Sequence, residues 1–254
     1  YARRHVGKEK TFCPTSNNTS ARGDEDVVYY LHQPSQYTAS QAMTSKPLVI
    51  GLIGTGKMSS GQGRLFSSHG FSTFIGSRDQ SKAMALAAEL GNGACGGSHL
   101  EAILASDIIF LNLHPGEMTN AFLESHRASL AGKMLVEIAA SYYYPAQFHP
   151  PSPHCSSLTW DKQLLNDESV SWATTFKSMG ADSIGNNVQQ PIEVCGDERT
   201  KKAIIQILSA CGWEPLDCGG VDDAPLLEPK GPKRRKHPRI EEWDAEHGLH
   251  KEHR

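Results

Sequence analysis

Four short apolar runs, LVIGLI (48–53), FSTFIG (71–76), SDIIFLNL (106–113) and KMLVEIA (133–139), alternate with stretches of helical spacing, and this alternation most restricts the fold. The runs are apolar throughout, the pattern of strands covered on both faces, as in a parallel sheet. Parallel strands need crossovers, and helices supply them. A helix is expected over about 58–69. DQSKAMALAAELG then places Ala83, Leu86, Ala87 and Leu90 on one helical face and stops at Gly91, a natural C-terminal cap. A short strand near Ala94 is followed by the helices HLEAILA and GEMTNAFLESHRASL. Beyond an irregular, proline- and aromatic-rich middle, SYYYPAQFHPPSPHCSS, the pattern resumes with VSWATTF, PIEVCG, the helix DERTKKAIIQILSACG and the strand WEPLDC. The expectation is an α/β chain: a Rossmann-like, doubly wound parallel sheet over residues 47–229 with a short α/β C-terminal extension. The middle segment lies about where such a fold leaves its sheet to cover a ligand.

The flanks differ in texture. Residues 1–46 show neither helical nor strand periodicity and are rich in Ser, Thr, Asn and Gln, so disorder is expected there. Tyr1 opens the chain and Met43 stands just before the first strand, so the functional product is expected to begin near Met43. Residues 230–254 are polar, carry a basic cluster over 230–239 and are expected to be a disordered, solvated tail. Its histidines His247, His250 and His253 fall at i, i+3 and i+6, a metal-like spacing only if the segment is helical.

Charge excludes one class of partner. Of 25 basic and 28 acidic residues, the two flanks take 14 and 9, leaving the core 11 basic against 19 acidic. Nonspecific nucleic-acid binding requires the opposite balance, so no nucleic-acid partner is expected. No run approaches the roughly 18 to 20 apolar residues of a membrane span, which points to a cytoplasmic protein. Cys13, Cys95, Cys155, Cys195, Cys211 and Cys218 form no C-x-x-C pair and are expected to be reduced.

The first strand runs into VIGLIGTGKMSSGQG, which fits two phosphate-binding templates. Read as G-x-x-x-x-G-K from Gly51 to Lys57, it fails, because Met58 stands where a magnesium-binding hydroxyl is needed and Leu52 and Ile53 continue a strand instead of forming a solvated loop. Read as G-x-G-x-x-G, it fits: the strand ends at Ile53, Gly54 permits the tight turn, and Gly56 lets backbone approach a pyrophosphate at the helix N-terminus. Ser59 replaces the third glycine with another small residue. Gly61 and Gly63 each cost the helix roughly 1 kcal/mol relative to alanine, which suggests close backbone packing or a locally loosened first turn. The second strand then selects the cofactor. Binders of NAD place an acid at its end for the ribose diol, whereas here Ser77 and Arg78 follow FIG, with Lys82 one turn on. A hydroxyl and a guanidinium suit the dianionic 2′-phosphate of NADP.

These blocks, with ASDIIFLNLHPGEM, LAGKMLVEIA, EVCGDERTKKAIIQILSACGWEPLDCGG and LLEP, resemble the NADP oxidoreductases that use a deazaflavin coenzyme (coenzyme F-420-dependent type) and the related cytosolic reductase domain of six-transmembrane metalloreductases. The likeness spans about residues 47–229. It implies that Gly54, Thr55, Gly56, Lys57, Met58 and Ser59 follow the pyrophosphate, that Ser77, Arg78 and Lys82 hold the 2′-phosphate, and that Asn112, Leu113 and His114 lie beside the adenosine or nicotinamide side. EIAAS would approach the nicotinamide through Ala139 and Ala140. The chain departs from the family pattern where EIAA replaces DVSN and where TTFK, at 174–177, replaces KAFN; both segments border the reacting ring and the second substrate in the family.

Hydride transfer to a flavin or deazaflavin needs parallel rings at close range in a dry pocket and demands no general acid, so no catalytic dyad is nominated. His114 serves equally as a cofactor contact or a structural residue. His149, His154 and Cys155 match no strong metal-ligand spacing, and Tyr142, Tyr143 and Tyr144 can stack on a flat acceptor or simply pack. The function expected is an NADPH-dependent oxidoreductase passing hydride between NADP(H) and a flavin-like, deazaflavin-like or metal-linked small-molecule acceptor, as a homodimer. The alternatives are a reductase of a small imine or ketone and a noncatalytic NADPH-binding regulatory module.

Overall fold

The sheet is centred on β1 (Val49–Ile53), buried from Ile50 onward and paired in parallel with β2 (Ser72–Gly76) on one side and β4 (Ile108–Leu111) on the other. The remaining strands are β3 (Cys95–Gly97), β5 (Met134–Glu137), β6 (Ser171–Thr174), β7 (Pro191–Gly196) and β8 (Glu214–Asp217). The computed structural model describes residues 48–140, 156–229 and 234–247, and its eight strands run in the order β3-β2-β1-β4-β5-β6-β7-β8. From β1 the chain steps outward to β3, then returns to β4 and proceeds the other way, so the order reverses between β1 and β4. That reversal is the switch point at which doubly wound sheets bind ligands.

Helices α1 (Lys57–Ser68) and α2 (Gln80–Leu90) pack together, and α4 (Glu117–Leu130) packs between α3 (His99–Ala105) and α5 (Ser157–Leu165), the two-sided cover expected of such a sheet. Ala83, Leu86, Ala87 and Leu90 are buried as their spacing predicts, and Gly91 caps α2 at φ 64°. Across the first face Phe66 packs on Phe110 at 5.2 Å, Phe110 on Phe176 at 6.4 Å, and Phe176 edge-on against Trp213 at 6.0 Å. Large side chains buried in this way contribute about 1.5 to 3 kcal/mol each. They tie the first half of the sheet to the second.

The glycines inside α1 have a packing reason. The short helix α6 (Ala181–Gly185) crosses α1 so closely that a Cβ on Gly61 would lie 2.5 Å from the Ala181 carbonyl oxygen, and one on Gly185 would lie 3.2 Å from Gly61 Cα. A Cβ on Gly63 would meet the Leu90 side chain.

Four features depart from the sequence expectation. The sheet is not wholly parallel, because β6 and β7 pair antiparallel, Thr174 opposite Cys195. Helix α5 follows the proline-rich middle directly; a capping box between Ser156 and Thr159 starts it, with Ser156 Oγ accepting from the Thr159 amide at 3.1 Å. Cys95 is disulfide-bonded, whereas Cys195, Cys211 and Cys218 are free; a long-range pairing leaves no mark in cysteine spacing. The tail is also ordered over 234–247. There α9 (Pro238–Glu246) follows α7 (Glu198–Ala210) and α8 (Ala224–Leu227), with Pro238 at its first position. Arg234 binds Glu193 of β7 at 2.8 Å and Arg239 binds Glu214 of β8 at 2.9 Å, so the basic cluster docks on the acidic core. No side chain of α9 is buried, which is why apolar periodicity gives no sign of it. Residues 1–47, the loop residues from Tyr142 to Cys155 named above, and His250 and His253 lie outside the described residues. Among the described residues, no helix is long and apolar enough to cross a membrane.

Candidate functional site

The C-terminal ends of β2, β1, β4 and β5 stand side by side at the switch point. At the end of β1 the Gly54 amide donates to the Gly76 carbonyl at 2.8 Å while φ at Gly54 turns to 117°. A Cβ there would lie 2.5 Å from the Asn112 carbonyl oxygen, so the turn and the approach of β4 both require glycine. Gly56 is the N-cap of α1 and offers no side-chain hydrogen bond, no acid occupies the first turn, and a Cβ on Gly56 would meet nothing within 4 Å. The first-turn amides of this twelve-residue helix therefore have no side-chain cap, a ready site for an anion.

Around this turn Thr55 is half-buried, Lys57 is exposed, and Met58 packs against the core. Ser59 is fully buried, small enough for α1 to lie on the sheet, and its hydroxyl has no partner among the described residues. Asn112 at the end of β4 donates to buried Gln62 of α1 at 2.7 Å, locking the two sides of the crevice together. Leu113 is half-buried, and His114 points its Nδ1 at the Pro115 carbonyl, 3.1 Å away, with its ring exposed.

At the end of β2, Ser77 is half-buried and Arg78 exposed. Among the described residues the Arg78 guanidinium has no hydrogen-bond or ion-pair partner. The nearby acid Asp79 caps α2, accepting from the Lys82 amide at 3.3 Å and from the Ser81 hydroxyl at 2.5 Å, and these contacts hold its pKa below the usual carboxylate value. Asp79 also pairs with Lys82 at 3.6 Å, so Lys82 would exchange an existing partner for an incoming anion. Behind them His99 packs on Phe122 and His126. Burial, His126 and Arg78 push the His99 pKa down to about 4, so the positive charge here at neutral pH comes from Arg78 and Lys82.

The end of β5 holds what the sequence reading missed. Glu137, the last residue of β5, is buried and ion-paired to Lys177, whose ammonium also binds Glu228 at 3.0 Å and the Ala139 carbonyl. Ser157, at the start of α5, donates its amide to Glu228 at 2.9 Å, and its single hydroxyl proton has two acceptors in reach, Glu228 at 2.9 Å and the Ala139 carbonyl at 2.6 Å. Phe176, buried and bulky, sits at φ 58°, a backbone conformation costly for such a residue, and this turn precedes Lys177. Burial drives the Glu137 pKa up to about 7, with Lys177 pulling it down and Glu228 pushing it up. Burial also works against the Lys177 ammonium, but Glu137 and Glu228 together raise its pKa above the ordinary lysine value. Ala139 is half-buried and Ala140 buried beside this cluster. The visible signal was two charged residues, Glu137 and Lys177, in otherwise apolar strand-end segments; their contact, and the part of Glu228, depend on the packing of three distant segments.

The crevice thus offers an uncapped helix N-terminus, a glycine-lined turn and a cationic strand end, a donor set that fits a dinucleotide with a phosphorylated ribose. Comparisons with known proteins give a partial family match and a shared fold. Residues 49–141 match the model of the family described as NADP oxidoreductase, coenzyme F420-dependent. Among solved structures, a hypothetical protein from Sinorhizobium meliloti superposes with a TM-score of 0.61 at 14% identity, over 73% of this chain and 92% of that one. A putative F420-dependent NADP-reductase from Arthrobacter sp. gives 0.55 at 18% identity, over 70% and 87%. An imine reductase from Bacillus cereus gives 0.55 at 22% identity over 70% of this chain, which spans only 57% of that enzyme's length. No curated protein sequence matches.

Proposed function

We propose that this chain is an NADPH-dependent oxidoreductase that transfers hydride between NADP(H) and a small-molecule acceptor of flavin, deazaflavin or metal-linked type, acting in the cytoplasm as a homodimer. The observation that carries the reading is the end of β2, where Ser77 and Arg78, unpartnered among the described residues, stand in place of a diol-binding acid, next to the uncapped N-terminus of α1. In this reading the turn from Gly54 to Ser59 binds the pyrophosphate, and Ser77, Arg78 and Lys82 hold the 2′-phosphate. Asn112, Leu113 and His114 line the adenosine or nicotinamide side, and Ala139 and Ala140 support the nicotinamide. The cofactor supplies the hydride; the chain binds it, orients it and excludes water.

The likeness to an imine reductase favours a second reading, reduction of a small imine or ketone on the same cofactor site. The deciding experiment is a titration with NADPH, NADH and ATP, followed by NADPH oxidation with flavin, deazaflavin, ferric chelate, quinone and cyclic imine. Tight NADPH binding with turnover of one acceptor supports an enzyme and names its class. Tight binding with every acceptor inert would make the chain a nucleotide-binding regulatory module, and preferential ATP binding would remove the dinucleotide reading.

A further inference from the structure

The cluster at the end of β5 has two carboxylates for one ammonium in a dry setting. Glu228 is satisfied as an anion by the Ser157 amide, the Ser157 hydroxyl and Lys177. Glu137 is less so: its Oε2 meets Lys177 and, at 3.5 Å, the Thr174 hydroxyl, but its Oε1 is buried with no hydrogen-bond partner of normal geometry among the described residues. With both carboxylates ionised the cluster carries a net negative charge away from water, an expensive state. A proton on Glu137 removes that charge. The cluster also grips Ala139, through Lys177 on its carbonyl, at the position assigned above to the nicotinamide side.

We propose that Glu137, Lys177 and Glu228 form a proton-storing counter-charge for the nicotinamide: Glu137 is protonated opposite the neutral reduced ring and gives up its proton when the ring becomes cationic. The proposal rests on the NADP reading of the crevice and extends it to the acceptor. One hydride, carrying two electrons, leaves for the acceptor; the C–H bond to the ring breaks and a bond to the acceptor forms. The proton released from Glu137 matches the one that a C=N, C=O or flavin acceptor takes up with the hydride, and the new carboxylate balances the new cation. In the reverse direction Glu137 is reprotonated. The acceptor class favoured is therefore one that takes up hydride and proton together, in preference to a bare metal ion. Glu137 acts here as a positioning and charge-balancing residue, since it touches neither cofactor nor acceptor.

The other titratable groups facing the cluster do not compete for this role. The Cys195 thiol on β7 lies in the fields of Lys177, Cys218, Asp223 and Glu228, and burial drives its pKa far above the thiol range. Lys177 stays protonated through neutral pH. Glu137 is poised near neutrality, up to about 7.

Calorimetric titration of the whole chain with NADP⁺ and with NADPH at pH 6, in two buffers of different ionisation enthalpy, counts protons exchanged on binding. The 2′-phosphate is common to both ligands, so its own protonation cancels in the difference. The expected result is release of about one more proton with NADP⁺ than with NADPH, a difference abolished in E137Q. Equal proton counts for the two ligands in the unmodified protein would overturn the proposal whether or not E137Q folds, as would a difference that persists in folded E137Q. Failure of both ligands to bind would instead overturn the cofactor reading on which the proposal rests.

Discussion

Glu137 and Lys177, the charged residues in the two segments where this chain departs from the pattern of the proteins it resembles, are each other's ion-pair partners, with side chains 1% and 2% exposed. The two residues lie 40 positions apart in the chain. Either charge alone at this depth would be prohibitive, whereas the pair, joined by Glu228 and Ser157, is satisfied save for one carboxylate oxygen. The two segments therefore meet in one buried charged cluster at the end of β5.

Removing the ammonium exposes the cost of that arrangement. Lys177→Met keeps the volume but leaves Glu137 and Glu228 without their shared cation, and should destabilise the protein by about 3 to 5 kcal/mol. Combining it with Glu137→Gln should recover part of the loss, because Glu228 keeps its donors from Ser157. Denaturant midpoints of both variants check this. A single variant within about 1 kcal/mol of the parent would mean that the pair has no structural weight.

The same carboxyl makes stability depend on pH in a defined window. The folded-state pKa of Glu137 is raised from 4.5 to about 7, so the native protein holds this proton more tightly than the unfolded chain does. Its contribution is fully present below pH 4.5 and is lost as pH rises to about 7, with a slope of up to about 1.4 kcal/mol per pH unit for one proton. Urea unfolding across this window should show stability in the parent declining relative to E137Q. Parallel curves for the two proteins would contradict the raised pKa.

Local chemistry made most of this fold legible. The strands β1, β2, β4 and β5 are apolar runs, Gly91 ends α2 with a positive φ, and Gly54 to Ser59 form the turn that their order implies. What escaped reading depends on distant partners or on polar contacts that leave no periodicity. The reversal of β7 against β6 depends on where the chain returns to the sheet. Helix α9 is held by Arg234 and Arg239 on Glu193 and Glu214, and the Glu137 cluster draws on β5, the turn after β6, α5 and the residue after α8.

Close packing of α1 on α6 can be probed at one atom. Gly61→Ala adds a helix-favouring methyl, yet that methyl would lie 2.5 Å from the Ala181 carbonyl oxygen, so backbone must shift. Propensity alone predicts a gain of up to about 1 kcal/mol, and overpacking a loss of about 1 to 3. The expected net outcome is a lower thermal midpoint. An unchanged or higher one would show that α6 is free to move aside and would relieve Gly61 of any packing role.

Cofactor choice turns on Arg78. Its guanidinium is exposed and unpartnered among the described residues, so replacing it should cost the fold almost nothing. The loss should fall on a ligand that brings its own dianion to the end of β2. Arg78→Ala should weaken NADPH binding by about 1.5 to 3 kcal/mol, the range for hydrogen bonds to charged groups, and leave NADH binding nearly unchanged. Lys82→Ala should have a smaller effect, because Lys82 already pairs with Asp79 and gives up that contact on binding. Both effects should shrink as ionic strength rises, since these charges are exposed. Fluorescence titration of each variant with the two reduced cofactors at low and high salt measures all three expectations. Equal losses for NADPH and NADH in Arg78→Ala would place the guanidinium elsewhere than on the 2′-phosphate.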